Sequence, residues 1–189
     1  MDTGILFKTI KFLLHLLSAL IITVTGNQVY GQPAVVQEYE LKAAVLYKLL
    51  KFVDWPETAF DNNGDILHIC VLGKDPFGEM LDYYSGKILN GRKLEINRIT
   101  RIHANAGAGC HILFISTSEK KRLAAILKQI KTAPILSIGD TEGFAQQGGI
   151  INLVLKERRI AFEINVKAAE HAGLKINAKL LRLATIIDK

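Results

Sequence analysis

Cysteine, tryptophan and proline are scarce in this 189-residue chain, which contains two, one and four of them. Two cysteines are too few for a small domain held together by several disulfides. A composition of 49% hydrophobic and 22% charged residues also excludes a collagen and a disordered chain. The length predicts one domain, or at most two small ones, with enough residues to bury a single core.

Motifs for well-known chemistries are also missing. The chain has no GxGxxG, GxxxxGK[ST], HExxH or GxSxG sequence. Asp140 and Gly143 match the DxxG of GTPases, but without a phosphate-binding loop this segment is more simply a turn. His68 and His111 lie in predicted strands, and neither has a partner at metal-ligand spacing. We therefore predict no enzyme, with no catalytic residues, no metal ligands and no cofactor.

The excess of positive charge is modest and dispersed. The chain has 24 Lys and Arg against 18 Asp and Glu, a formal charge of +6. Only 120–122 and 158–159 form basic clusters, and no basic arm or aromatic RNA-binding strand accompanies them. We predict no binding to nucleic acid.

The first 31 residues have the pattern of a secretory signal peptide. Lys8 and Lys11 precede an almost wholly apolar run over 12–24, and Val29 and Gly31 supply small residues for cleavage. The run is about 13 residues long, whereas a membrane-spanning helix needs roughly 20. We predict cleavage after Gly31, a periplasmic location and no stable membrane anchor. The chain then divides into a signal peptide, 1–31, and one domain, 32–189.

Export changes the interpretation of the two cysteines. In an oxidising compartment, a lone pair favours one disulfide between Cys70 and Cys110. Each lies in or beside an apolar run, and neighbouring strands about 4.8 Å apart would suit such a bond. The alternative is two buried free thiols.

Hydrophobic periodicity predicts an α/β domain. A first helix over 38–53 has Leu41, Val45, Leu49 and Phe52 at helical spacing. Strands at 66–72, 94–97, 111–115 and 135–138 alternate with two helices, which indicates a mainly parallel or mixed sheet flanked by helices. An antiparallel hairpin over 150–164 and two short helices follow. These helices begin at Asn165 and Asn177, and the last has Leu180, Leu181, Ala184 and Ile187 on its apolar face.

Two segments are candidates for contact with a partner or ligand. Gly143, Phe144, Gly148 and Gly149 form a glycine-rich loop after a predicted parallel strand, at the edge where open α/β sheets bind ligands. The alternative is a tight loop that needs positive φ angles. Trp55 and Pro56 form the second segment, and Trp55 is either an exposed aromatic anchor or a core residue.

A set of segments covers nearly the whole predicted mature chain. They are EYELKAA (38–44), KFVDWP (51–56), ICVLG (69–73), DPFG (75–78), CHILFIS (110–116), GFA (143–145), GGIIN (148–152), FEIN (162–165), Ala168-Ala169, AGL (172–174) and LLRLA (180–184). Together, and in this order, they resemble the YfiR family of exported proteins, although no single segment is specific.

The resemblance implies a periplasmic, non-enzymatic regulator. The best-understood members inhibit an inner-membrane diguanylate cyclase by binding its periplasmic part, which restrains cyclic di-GMP synthesis and biofilm formation. Members can dimerise and are linked to disulfide state. Cys70 and Cys110 match one family cysteine pair, whereas Ala145 and Asn152 stand where a second pair would be. A sensor kinase as partner, a periplasmic small-ligand-binding module and an uncharacterised hydrolase remain as alternatives.

Overall fold

The computed structural model describes residues 34–60, 64–102, 109–157 and 159–188. The predicted signal peptide and its cleavage site lie outside these residues. Five α-helices and ten strands occur in the described part of the chain. The helices are α1 (Ala34–Leu49), α2 (Glu79–Asp82), α3 (Leu123–Ile130), α4 (Val166–His171) and α5 (Ala178–Leu181). The strands are β1 (Val53–Asp54), β2 (Ile66–Leu72), β3 (Ile88–Leu89), β4 (Arg92–Ile99), β5 (Ile112–Ile115), β6 (Leu136–Gly139), β7 (Ile151–Lys156), β8 (Arg159–Ile164), β9 (Lys175–Ile176) and β10 (Thr185–Ile186).

A mixed sheet forms the centre of the fold. Its strand order is β10-β8-β7-β6-β5-β2-β4-β3 in the described residues. The five strands from β7 to β4 are parallel, while β8 and β3 pair antiparallel with β7 and β4. Strands β1 and β9 form a separate antiparallel ribbon. This arrangement confirms the predicted single α/β domain with an antiparallel C-terminal hairpin.

The two faces of this sheet belong to two separate hydrophobic clusters. Ile69 and Phe114 point to the cluster that also contains the buried residues of α1, and this side is called the α1 face. Leu72 and Leu113 point to the cluster that contains the buried residues of α3, and this side is called the α3 face. The alternation follows from the two-residue period of side chains along a strand. Because β5 is buried on both faces, its sequence is a continuous apolar run, as predicted.

Helix α1 buries the predicted Leu49 and packs Val45 against the core, but its buried stripe is shifted away from Leu41. It spans Ala34–Leu49 and continues as a 3-10 turn over Leu50–Phe52. Leu41, predicted to face the core, is 39% exposed, whereas Lys42 is only 3% exposed. The buried positions of the helix are Lys42, Ala43, Leu46 and Leu49. The stripe is displaced because Lys42 forms a buried ion pair with the sheet, which is described below.

Helix α3 buries one apolar side, made of Leu123, Ile126, Leu127 and Ile130. Ser116 caps the turn by accepting a hydrogen bond from the Ser118 amide at 3.3 Å. In a capping box the Glu119 side chain would accept from the Ser116 amide, but Glu119 instead binds Arg122. A 3-10 turn over Thr117–Arg122 precedes the α-helix.

The last predicted helix is too long. Asn177 caps α5 as expected, with its side chain accepting from the Lys179 amide at 2.9 Å, but the helix ends at Leu181. The chain then becomes strand β10, parallel to β8. Leu180 is buried, whereas Leu183 is 75% exposed. Pairing with the open edge of β8 satisfies backbone groups that a longer helix would have left at that edge.

Candidate functional site

The predicted disulfide is present. Cys70 lies in β2, Cys110 lies just before β5, and their sulfur atoms are bonded, with the Cα atoms 5.8 Å apart. This separation is within the usual range for a disulfide. The two strands are parallel neighbours, which brings the cysteines together from 40 positions apart in sequence. The alternative of two free thiols is therefore wrong.

Hydrogen bonds and ring stacking join the segment containing Trp55 and Pro56 to the beginning of β5. The Trp55 indole N–H donates to the backbone oxygen of His111 at 3.2 Å. His111 Nδ1 accepts from the His68 amide at 3.0 Å, so the ring proton lies on Nε2, which donates to the Ala59 oxygen at 3.1 Å. Phe60 stacks on the same imidazole at 4.7 Å between ring centroids. Trp55 thus holds its own segment in place while remaining half-buried.

The glycine-rich loop surrounds a buried aromatic ring. Phe144 is 0% exposed, and a Cβ atom at Gly139 or Gly149 would overlap its ring. These glycines are therefore required by close packing. Phe144 and Gly149 are not on the surface, which leaves Gly143 and Gly148 as the accessible members of the predicted contact set. Whether these two residues or Trp55 and Pro56 contact a partner stays a prediction.

A buried charge cluster joins α1 to the end of β6. The Asp140 carboxylate, 2% exposed, accepts from Lys42 Nζ at 2.7 Å and from the Tyr39 hydroxyl at 2.8 Å. Lys42 also pairs with Glu38 at 2.5 Å. Burial, followed by the charge of Asp140, raises the pKa of Tyr39 above its usual value. The sequence around Asp140 indicates only a turn, although a lysine between apolar helix residues is a usable signal of a buried ion pair.

This cluster has the properties of a structural anchor. Its lysine is held between two carboxylates.

Among the residues that the structure describes, no group of His, Cys, Asp and Glu side chains is arranged to hold a metal ion. The described residues also contain no helix with the length and apolarity needed to cross a bilayer.

An exposed surface of aromatic and cationic side chains lies where α1 meets α2. We call Tyr47, Tyr83, Tyr84, Lys51 and Lys87 the aromatic–lysine surface. Tyr47 stacks on Tyr84 at 4.6 Å, and Tyr83 meets Tyr84 edge-on at 5.2 Å. Lys87 Nζ lies 3.5 Å from the Tyr83 ring centroid, and Lys51 Nζ lies 5.4 Å from that of Tyr47. Tyr83 is nevertheless 70% exposed.

Neither lysine of this surface is neutralised by a carboxylate. In the described parts of the chain, the ion pairs do not include Lys51 or Lys87. The nearby acid Asp82 is bound by Arg98 at 2.6 Å. The surface therefore presents positive charge over aromatic rings. Its tyrosines are of a type enriched at protein interfaces, whereas lysine is not. No local sequence pattern marks this surface, because its residues come from two segments, 47–51 and 83–87, that are far apart in the chain.

The sheet order, the flanking helices and the disulfide define a single-domain α/β protein with a mixed sheet. The model of the YfiR/HmsC-like family matches residues 39–185, and the chain belongs to that family. Family membership supports a periplasmic regulatory role in cyclic di-GMP signalling at the level of the family. The disulfide is consistent with an oxidising compartment such as the periplasm.

A solved structure shares the fold. The crystal structure of a conserved domain protein from Vibrio cholerae O1 biovar eltor str. N16961 matches with a TM-score of 0.52 at 15% identity. The match covers 79% of this chain and 60% of the other, so this chain spans about three-fifths of that protein's length.

Proposed function

We propose that this protein is a non-enzymatic periplasmic regulator that binds the periplasmic part of an inner-membrane diguanylate cyclase and inhibits it. In this proposal the signal peptide is removed after Gly31, and the folded domain acts outside the inner membrane. The family assignment over 39–185 supports the signalling context. The observation that carries the binding role is the aromatic–lysine surface.

The chemistry of this surface favours a protein partner with acidic residues. Tyrosine is enriched among the few interface residues that dominate binding energy. The ammonium groups of Lys51 and Lys87 lack carboxylate partners in the described residues and would gain them from such a partner. The rings are already packed against each other, so binding orders few additional side chains.

Binding alone is sufficient for inhibition. A cyclase that exchanges between active and inactive conformations is inhibited by a protein that binds the inactive one more tightly. The size of the effect depends on the ratio of the two affinities. No chemical step by this chain is required.

The test measures direct binding. Protein purified from the periplasm is titrated by biolayer interferometry against the periplasmic part of each inner-membrane diguanylate cyclase of its source organism. Wild type is expected to bind one of them, and Tyr83→Ala with Lys87→Glu is expected to weaken binding by at least about tenfold, the equivalent of 1.4 kcal/mol. Deleting the gene is expected to raise cellular cyclic di-GMP.

Matched substitutions separate the surface from general effects. Leu183 is as exposed as Tyr83, at 75% against 70%, and lies far along the chain near β10, so Leu183→Ala with Lys121→Glu is the control. Equal loss in both double variants would contradict a role for the aromatic–lysine surface. Failure of wild type to bind any cyclase would contradict the proposed function, and capture of a sensor kinase instead would favour the alternative partner.

A further inference from the structure

A groove separates helices α3 and α4 on the side of the molecule where Gly148 is exposed. It has a volume of about 440 Å³, within the range of small-molecule sites. Ala124 and Leu127 of α3 form one wall, Ala168 of α4 forms another, and Ile135 and Ile150 contribute apolar surface between them. The groove thus lies near the beginning of β6, and not at the carboxyl end of the strands, which is where open α/β sheets usually bind ligands.

Two polar side chains at the base of the groove, Ser137 and Asn165, are bonded within the protein, whereas the buried Gln146 Oε1 has no hydrogen-bond partner among the described residues. Ser137 Oγ accepts from the Ile150 amide at 3.0 Å. Asn165 donates to the Ala145 oxygen at 2.9 Å and accepts from the Ala168 amide at 2.9 Å. Because the atoms of Ser137 and Asn165 are already satisfied, a ligand lying there would meet mainly hydrocarbon, together with one unsatisfied acceptor, Gln146 Oε1.

The rim of the groove is basic. Lys128 and Lys131 line it and are exposed, and no Asp or Glu is among its lining residues. Within the described chain, neither lysine takes part in an ion pair. His171 adds a third nitrogen-bearing side chain to the same rim. An anionic group placed at the rim would gain attraction from both ammonium groups, most strongly at low salt.

We propose that this groove is a binding site for a free, small anionic amphiphile, with an apolar body between α3 and α4 and an acidic group at Lys128 and Lys131. Size, apolar walls and a rim of one charge sign each select for this class. The site is separate in sequence from the aromatic–lysine surface, and it does not depend on the proposed cyclase binding. The structure assigns no covalent step to it.

Two probes test the site in the full purified protein. The first is 8-anilinonaphthalene-1-sulfonate, an apolar anion whose fluorescence increases in apolar surroundings. The second is decanoate, which should displace it and raise the melting temperature as a ligand of the folded state does. One displaceable site is expected under conditions in which the protein is folded.

The chain offers closely matched variants. Ala124→Trp should fill the groove, whereas Ala125→Trp adds the same bulk at the next exposed position, which does not line it. Lys128→Glu with Lys131→Glu reverses the rim, whereas Lys120→Glu with Lys121→Glu makes the same charge change outside it. The groove variants are expected to weaken binding of both probes at least about tenfold and the controls less than about twofold, with melting temperatures of the free proteins reported for all four.

Three results would overturn the proposal. The first is absence of displaceable binding to wild type, and the second is equal weakening by Ala124→Trp and Ala125→Trp. The third is co-sedimentation of wild type with phosphatidylglycerol vesicles when free decanoate does not bind, which would assign the lysine rim to a membrane surface.

Discussion

The two faces of the central sheet are held together by different chemistry. On the α1 face, a helix is tied to the end of β6 by Lys42 between Asp140 and Glu38. On the α3 face, β2 is tied to the approach to β5 by the bond between Cys70 and Cys110. The first device acts within the native state, because Lys42 meets Asp140 only when the helix is docked. The second acts mainly by restricting the unfolded chain.

This difference predicts that substitutions on the two faces of the sheet will affect stability unequally. A buried ion pair makes each partner dependent on the other, since removing one leaves an uncompensated charge in the interior. A disulfide leaves no charge behind when both sulfurs are replaced. A single substitution in the charge cluster on the α1 face should therefore lower the free energy of unfolding strongly. Loss of the disulfide on the α3 face should lower it without a change in the packing of that face.

The largest effect is expected from Lys42→Met. The variant keeps the apolar stem but leaves the carboxylate of Asp140, 2% exposed, without its cation. Loss of a buried partner typically costs about 3–5 kcal/mol. Urea unfolding followed by circular dichroism measures it as a fall in the free energy of unfolding.

Two further variants test whether the unpaired carboxylate of Asp140 causes the stability loss of Lys42→Met. Lys48→Met changes an exposed lysine on the same helix and should alter stability by less than about 0.5 kcal/mol. Adding Asp140→Leu to Lys42→Met removes the unpaired carboxylate and should restore most of the loss. If the double variant is less stable than Lys42→Met alone, the charge is not the cause.

A smaller loss is expected when the disulfide is replaced by Cys70→Ala with Cys110→Ala. The loop of 40 positions corresponds to a chain-entropy ceiling of about 4 kcal/mol, and measured values are typically about 2–4 kcal/mol. Thermal melting under identical buffer conditions measures the difference. The wild type should show no free thiols when denatured without reductant, and finding two would contradict the bond itself.

Much of the fold could be predicted because its signals are local. The apolar run of β5, the buried side of α3 and the cap at Asn165 each follow from neighbouring residues. The disulfide was also predictable, since export and a lone cysteine pair restrict the choices. The features that were predicted wrongly depend on contacts between residues that are far apart in the sequence. Leu41 is exposed because a residue 98 positions from Lys42 draws that lysine inward.

The candidate binding surfaces were less predictable for the same reason. The glycine-rich loop makes Phe144 a candidate for contact with a partner, but Gly149 of that loop and Gly139 make room for its ring inside the α3 face. The aromatic–lysine surface joins residues of α1, the segment after α2 and the 3-10 turn at Lys51. No local pattern marks it, because only the packing of α1 on α2 brings Tyr47 and Tyr84 together.

The smallest effect is expected from Tyr39→Phe, and it should depend on pH. Near neutral pH the variant loses the hydrogen bond from the Tyr39 hydroxyl to Asp140, a cost of about 1–2 kcal/mol. In the folded protein, burial and Asp140 raise the pKa of Tyr39, so its hydroxyl stays protonated. In the unfolded chain the same group ionises near about pH 10. Above that pH the unfolded state releases a proton that the native state retains, so this tyrosine's contribution to stability falls.

The stability gap between wild type and Tyr39→Phe should therefore be constant below about pH 9 and shrink above about pH 10. Urea unfolding at a series of pH values measures the gap. Tyr83→Phe is the matched control, because it removes a hydroxyl from a side chain that is 70% exposed, and it should leave stability nearly unchanged throughout. A gap for Tyr39→Phe that stays constant up to pH 11 would mean that the hydroxyl beside Asp140 ionises as readily in the fold as outside it. The charge cluster on the α1 face would then be open to water, and the contrast with the disulfide-bonded α3 face would lose its basis.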